Sequence, residues 1–154
     1  MLRGRIAATF AACVGLAMLG TSSLAVAKDP VLQKLMGENF AGLQAVLVAL
    51  INSNYAAVPD QAEVILEHAA RLTQSVPESA KLEEGQFLAY AFNLKRHASD
   101  LKSIALLLNE RDASGGSEQE LGTDQLREAA AAHFGGVVTM CVACHNRYRL
   151  QLAP

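Results

Sequence analysis

Near the C-terminus, residues 141 to 145 read Cys-Val-Ala-Cys-His. Two thiols and an imidazole at spacings of three and four share one face of a helix, so all three address the same object. The chemistry this combination performs is covalent haem attachment: each thiol adds to a vinyl group to give a thioether, and the imidazole binds the iron from one side. Two rival uses of a Cys-x-x-Cys pair lack their usual surroundings. Thioredoxin-type exchange belongs at a helix start in a strand-containing fold, and no alternating β-branched run bounded by turn residues occurs. A structural zinc site needs four ligands, yet there is no second cysteine pair and no His-x-x-x-His partner. The expected cofactor is one covalent haem c with its iron, held by Cys141 and Cys144 and ligated by His145.

Such attachment presupposes export, and the first residues read as an export signal. Arg3 and Arg5 form a basic start, Ile6 to Gly20 an apolar run, and Ala25-Val26-Ala27 a small-x-small cleavage pattern. The expected division is a cleaved signal peptide at 1–27 and a mature domain at 28–154. The apolar run is shorter than the ~20 residues a spanning helix needs, so no stable membrane anchor is expected after cleavage. Cys13 sits mid-run, which does not suit a lipid-acceptor cysteine, and its removal leaves Cys141 and Cys144 as the mature thiols. A disulfide framework is thereby excluded. The chain of 154 residues carries a net charge of -2 and becomes more acidic once Arg3 and Arg5 are gone. Nucleic-acid binding normally shows a basic patch or stripe, and none is present.

Four helical patterns must position the motif. The first starts at Asp29-Pro30 and runs to about Asn52, with Leu32, Leu35, Met36, Asn39, Phe40, Leu43 and Leu47 on one face. Its stretch Ala45 to Ile51 is apolar all round and calls for cover from more than one side, so a homodimer through this helix is expected. The second is announced by Pro59-Asp60 with Glu63, carries Ile65, Leu66, Ala69 and Leu72, and stops before Pro77. The third spans about Glu84 to Glu110 with Leu88, Ala91, Leu94, Ala98, Leu101, Ala105 and Leu108 in line. The fourth begins near Thr123 as a cap and continues to about Leu150. Gly135-Gly136 interrupts it at a cost of about 1 kcal/mol each, which points to a kink or to a close approach by haem or a neighbouring helix. The fold class expected is all-α, an antiparallel four-helix bundle with the haem on the C-terminal helix.

Two segments make the chain resemble class II cytochromes c, the cytochrome c′ family, most closely their low-spin methionine-ligated branch. Cys-Val-Ala-Cys-His-Asn-Arg-Tyr-Arg, 141 to 149, is similar to the family's terminal motif. Leu32-Gln33-Lys34-Leu35-Met36, with Asn39 and Phe40, resembles the helix covering the opposite haem face. The two middle helices match in pattern only. The resemblance implies a bacterial periplasmic protein, often a homodimer, in electron transfer or gas binding. It also implies that Tyr148 packs near the proximal side, that Arg149 lies beside His145, and that Met36 is the axial methionine. A solvated cation near a helix C-terminus is the plainer reading of Arg149.

What fills the sixth position on the iron decides between electron transfer and small-ligand chemistry. The mature methionines are Met36 and Met140, and Met140, adjoining Cys141 on the proximal helix, does not easily reach across the ring. A methionine on an apolar stripe is commonly core filling, and the family resemblance is what favours Met36 as ligand. Among histidines, His133 is twelve residues before His145 on one helix, about 18 Å away, and cannot bind the same iron. His68 and His97 remain as rival ligands, although both are expected at the surface.

The function expected is a periplasmic one-electron carrier with His145/Met36 ligation and redox proteins as partners. Arg147 and Lys34 are candidate contacts around the haem edge. The alternative is a five-coordinate protein binding nitric oxide or carbon monoxide, with Leu32, Leu35 and Phe40 lining a dry pocket. No paired carboxylates, nucleophile motif or further metal site suggest an enzyme.

Overall fold

A computed structural model describes residues 30–115 and 122–148. The expected signal peptide and cleavage site, and Arg149, lie outside the described residues. The elements are α1 (Pro30–Ile51), a 3₁₀ turn (Tyr55–Ala57), α2 (Val58–Gln74), a second 3₁₀ turn (Glu78–Glu83), α3 (Glu84–Ala113) and α4 (Thr123–Tyr148). Among the described residues there is no strand, and no helix is long and apolar enough to cross a membrane. The two 3₁₀ turns were not legible in the pattern, because three to six residues hold too few side chains to display a period.

α3 is the central element, packing on both α2 and α4, while α1 lies mainly against α2. Its buried side chains are Phe87, Ala91, Leu94, Ala98, Leu101, Ala105 and Leu108, steps of four and three that hold one seam. Alternating alanine and leucine lets both neighbours approach closely at the small positions and interdigitate at the large ones. The expected stripe is reproduced except at its start, where Phe87 is buried and Leu88 half-buried. The core divides into three apolar clusters: Leu101, Ala105 and Leu108 with Val46, Tyr55 and Val58; Leu94 and Ala98 with Ile65, Ala69 and Val137; and Phe87 and Ala91 with Leu72 and Ala80.

α1 is turned relative to the expected face. Asn39, Gly42, Val46 and Ala49 are buried, whereas Leu47 is 45% exposed. Hydrophobicity marks a face only when the larger side chains face inward. Here α2 comes close over the small residues, with Gln61 next to Gly42, and this places the bulkier leucine outside. Phe40, Val48 and Ile51 are exposed as well, so the apolar stretch does present surface that the bundle leaves uncovered.

Thr123 does not cap α4. It is the first helical residue, the Gly122 carbonyl accepts from the Leu126 amide at 3.0 Å, and the Thr123 hydroxyl instead accepts from Arg111 at 3.3 Å. Gly122 has φ 109°, a left-handed value that favours glycine.

The Gly135-Gly136 pair sits inside an unbroken α4. A methyl on Gly136 would meet the His97 ring of α3 at 2.6 Å, whereas one on Gly135 would meet nothing within 4 Å. The close approach is thus to a neighbouring helix, and it needs one glycine only. Gly136→Ala is expected to cost about 1–3 kcal/mol by overpacking, while Gly135→Ala should gain up to about 1 kcal/mol from helix propensity. Thermal melts of the two single variants, moving in opposite directions, check this.

Candidate functional site

α4 presents Cys141, Cys144 and His145 along the side that meets α2 and α3. Cys141 packs beside Ile65, Ala69 and Val137, and Cys144 beside Leu72, Phe87 and Ala91. The two are not joined in a disulfide. Burial, helped by the neighbouring Cys144, pushes the Cys141 thiol up to about 11, and burial raises that of Cys144 too. The thiols are therefore protonated at neutral pH. Thiol–disulfide catalysts show the opposite shift at a helix N-terminus, whereas this pair lies near the C-terminal end of α4.

The two cysteines and His145 line a cleft of about 260 Å³ to which all four helices contribute. α1 supplies Met36, Asn39, Phe40 and Leu43; α2 supplies His68 and Leu72; α3 supplies Phe87, Tyr90, Ala91 and Leu94; α4 adds Val138, Met140 and Val142. Met36 and His145 stand 109 positions apart in the chain and line the same cleft. The side chains of Leu32 and Leu35, expected on this wall, lie outside the described residues. Met140 lines the cleft from the helix that carries His145.

Two polar groups are set into this apolar wall. Asn39 is 6% exposed and His68 is 2% exposed. Neither Asn39 Oδ1 nor His68 Nδ1 has a hydrogen-bond partner. An unsatisfied buried polar atom costs about 1–3 kcal/mol, and both of these atoms are themselves sealed from solvent. The expectation of a surface His68 is corrected: the residue shares the inner face with Ile65, Ala69 and Leu72. Burial, then the positive fields of His145 and Arg71, lowers its pKa to about 4, so the ring is neutral at pH 7. Its spacing of three from Ile65 was the available signal, and general exposure preferences for histidine masked it.

His97 is likewise not a solvent-facing residue. Its Nδ1 lies 3.3 Å from His133 Nδ1, and His133 Nδ1 lies 3.5 Å from Asp100 Oδ2, all between α3 and α4 and away from the cleft. Burial and the charges of Arg96 and His133 lower the pKa of His97.

Tyr148 braces the cleft from behind. Its ring meets Phe87 edge-on at 5.4 Å and Tyr90 at 6.2 Å, and its hydroxyl donates to the Glu83 carbonyl at 3.4 Å. Arg147, expected as a free contact for a partner, is engaged: its Nε and Nη2 donate to the Glu83 carboxylate at 2.7 and 2.6 Å. That fork ties the end of α4 to the turn before α3 and holds the Glu83 carboxyl below the usual range. Lys34 faces Glu38 at 3.7 Å.

The donor set suits a haem: two thiols and an imidazole on one helix, a thioether on another, and apolar walls between them. Against known proteins, no family model matches the chain, and no curated protein or solved structure matches it.

Proposed function

We propose that this chain is an exported c-type cytochrome of the class II kind, a periplasmic one-electron carrier. The observation that supports it best is the common cleft of Met36, Cys141, Cys144 and His145, since no local pattern requires the first helix to meet the motif of the last. In this reading residues 1–27 direct export, and the four helices alternate in direction around one haem c. Cys141 and Cys144 would hold it by thioethers, and His145 and Met36 would supply the donors to its iron. When bound, the haem supplies reversible one-electron exchange between ferric and ferrous iron. The chain's own part is retention, insulation and tuning. The leucine and phenylalanine walls keep water from the metal, and a soft thioether from Met36 favours the ferrous state and so raises the potential. No substrate is turned over, and partners are redox proteins that reach the exposed rim.

The test is the purified, exported protein. Its mass should equal the chain beginning at Lys28 plus one haem, and acidified acetone should extract no colour. Its ferric iron should be six-coordinate and low-spin, with a methionine–iron charge-transfer band in the near infrared. A haem-free mass refutes the cytochrome reading. A high-spin ferric signal would favour the five-coordinate gas-binding alternative, with Met36 as part of the wall.

The uncovered apolar face of α1 belongs to the same proposal as a homodimer interface. Val48→Asp is expected to convert a dimer into a monomer without changing the visible spectrum, because Val48 is exposed and does not line the cleft. Light scattering at high micromolar concentration checks it, and a monomeric parent protein would remove the interface.

A further inference from the structure

Resting on that haem reading, two buried polar groups in the cleft are left without a task, Asn39 and His68, and the second carries the chemistry of a metal ligand. His68 is almost wholly buried, lines the same cleft as Met36 and His145, and has an unpartnered Nδ1. As core filling it is a poor choice, since an apolar side chain of similar volume would carry no orphaned nitrogen. Within reach of a metal it is a good choice, because a neutral imidazole is a common ligand of iron. The other histidines on α3 and α4 are not competitors: His97 and His133 face each other, outside the cleft. We propose that His68 is a reserve axial donor, whose imidazole takes the sixth position on the iron whenever the Met36 thioether does not occupy it.

The exchange is a substitution of one neutral donor for another. The sulfur–iron bond breaks, a ring-nitrogen lone pair forms the new bond, the other ring nitrogen keeps its proton, and the iron keeps its charge. Burial of His68 disfavours a protonated ring and leaves that lone pair free. Thioether and imidazole differ in preference: sulfur suits ferrous iron, and the harder nitrogen suits ferric. A cleft with both donors therefore resists opening to carbon monoxide or nitric oxide when the methionine is lost or oxidised, a lesion to which a half-buried methionine is prone.

The experiment is electron paramagnetic resonance and near-infrared magnetic circular dichroism on the haem-loaded ferric protein, comparing wild type, Met36→Ala, His68→Ala and the double variant. Met36→Ala should stay low-spin, lose the methionine–iron band and gain the signature of two imidazoles. The double variant should lose the low-spin signal altogether and bind carbon monoxide rapidly when reduced. Met36→Leu, nearly the same volume, should read like Met36→Ala and covers any failure of the alanine variant to fold. A high-spin signal in both single Met36 variants overturns the proposal and leaves the haem reading intact, as does a double variant that remains low-spin. A wild type that is already high-spin overturns it too, since neither donor then sits on the iron. A wild type without covalent haem overturns the cytochrome reading itself. A wild type already showing two imidazoles, abolished by His68→Ala, overturns the reserve role, since His68 is then the resident ligand and Met36 part of the wall.

Discussion

Replacing Cys141 and Cys144 together by serine is expected to give a protein whose mass is that of the polypeptide alone and whose haem, where any is retained, leaves quantitatively in acidified acetone. On the proposed cytochrome reading, a serine hydroxyl does not add to a vinyl group under the conditions in which a thiol does, so both thioethers would be lost at once. Each single replacement should keep one bond: the mass still includes haem, and the band positions shift because one vinyl group stays unsaturated. The burial of both thiols adds a second consequence. Cys141 packs against Ile65 and Val137, and Cys144 against Leu72 and Phe87, so serine also places an unpartnered hydroxyl in apolar surroundings. Cys→Ala variants separate the two effects, because they remove attachment without that penalty. If Cys→Ala protein still carried haem resistant to extraction, the two thiols would not be the attachment points.

The second large effect falls on stability. Leu101→Ala is expected to cost about 2–5 kcal/mol, which is a substantial part of the roughly 5–15 kcal/mol that holds a domain of this kind together. Leu101 is 0% exposed and belongs to the cluster of Val46, Tyr55, Val58, Leu108 and Ala130, where all four helices meet. Truncation leaves a cavity walled by packed helices, none of which can close over it without moving. Leu106, on the same helix and 43% exposed, is the control, and Leu106→Ala should cost less than about 1 kcal/mol. Urea titration of both variants checks the contrast. Equal losses would mean that Leu106 is covered by another copy of the chain, and repeating the titration over a range of protein concentrations separates that case from a fault in the fold.

Much of the molecule is legible in its residues, because a helix writes its period into local spacing. The three- and four-residue steps from Ala91 to Leu108 mark the seam of α3, Pro59 and Pro77 bracket α2, and Cys141, Cys144 and His145 fall on one face wherever that helix is placed. Spacing along one helix does not say which neighbour arrives at which height or how closely it comes. The rotation of α1, which buries Asn39, Gly42, Val46 and Ala49 and leaves Leu47 outside, depends on α2 settling over small residues. His68 is inward because α1, α3 and α4 close around it, and its neutrality follows from that burial and from His145, 77 positions away. The need for glycine at 136 comes from the His97 ring on another helix. Thr123 serves Arg111 rather than its own helix, and Arg147 is held by Glu83, because each partner is brought there by packing. The sequence by itself determined the all-helical class and the placing of two thiols and an imidazole on one helical face, both of which need only neighbours within a few turns. Which groups face that motif was decided by tertiary structure alone, since burial, field and contact are properties of several helices together.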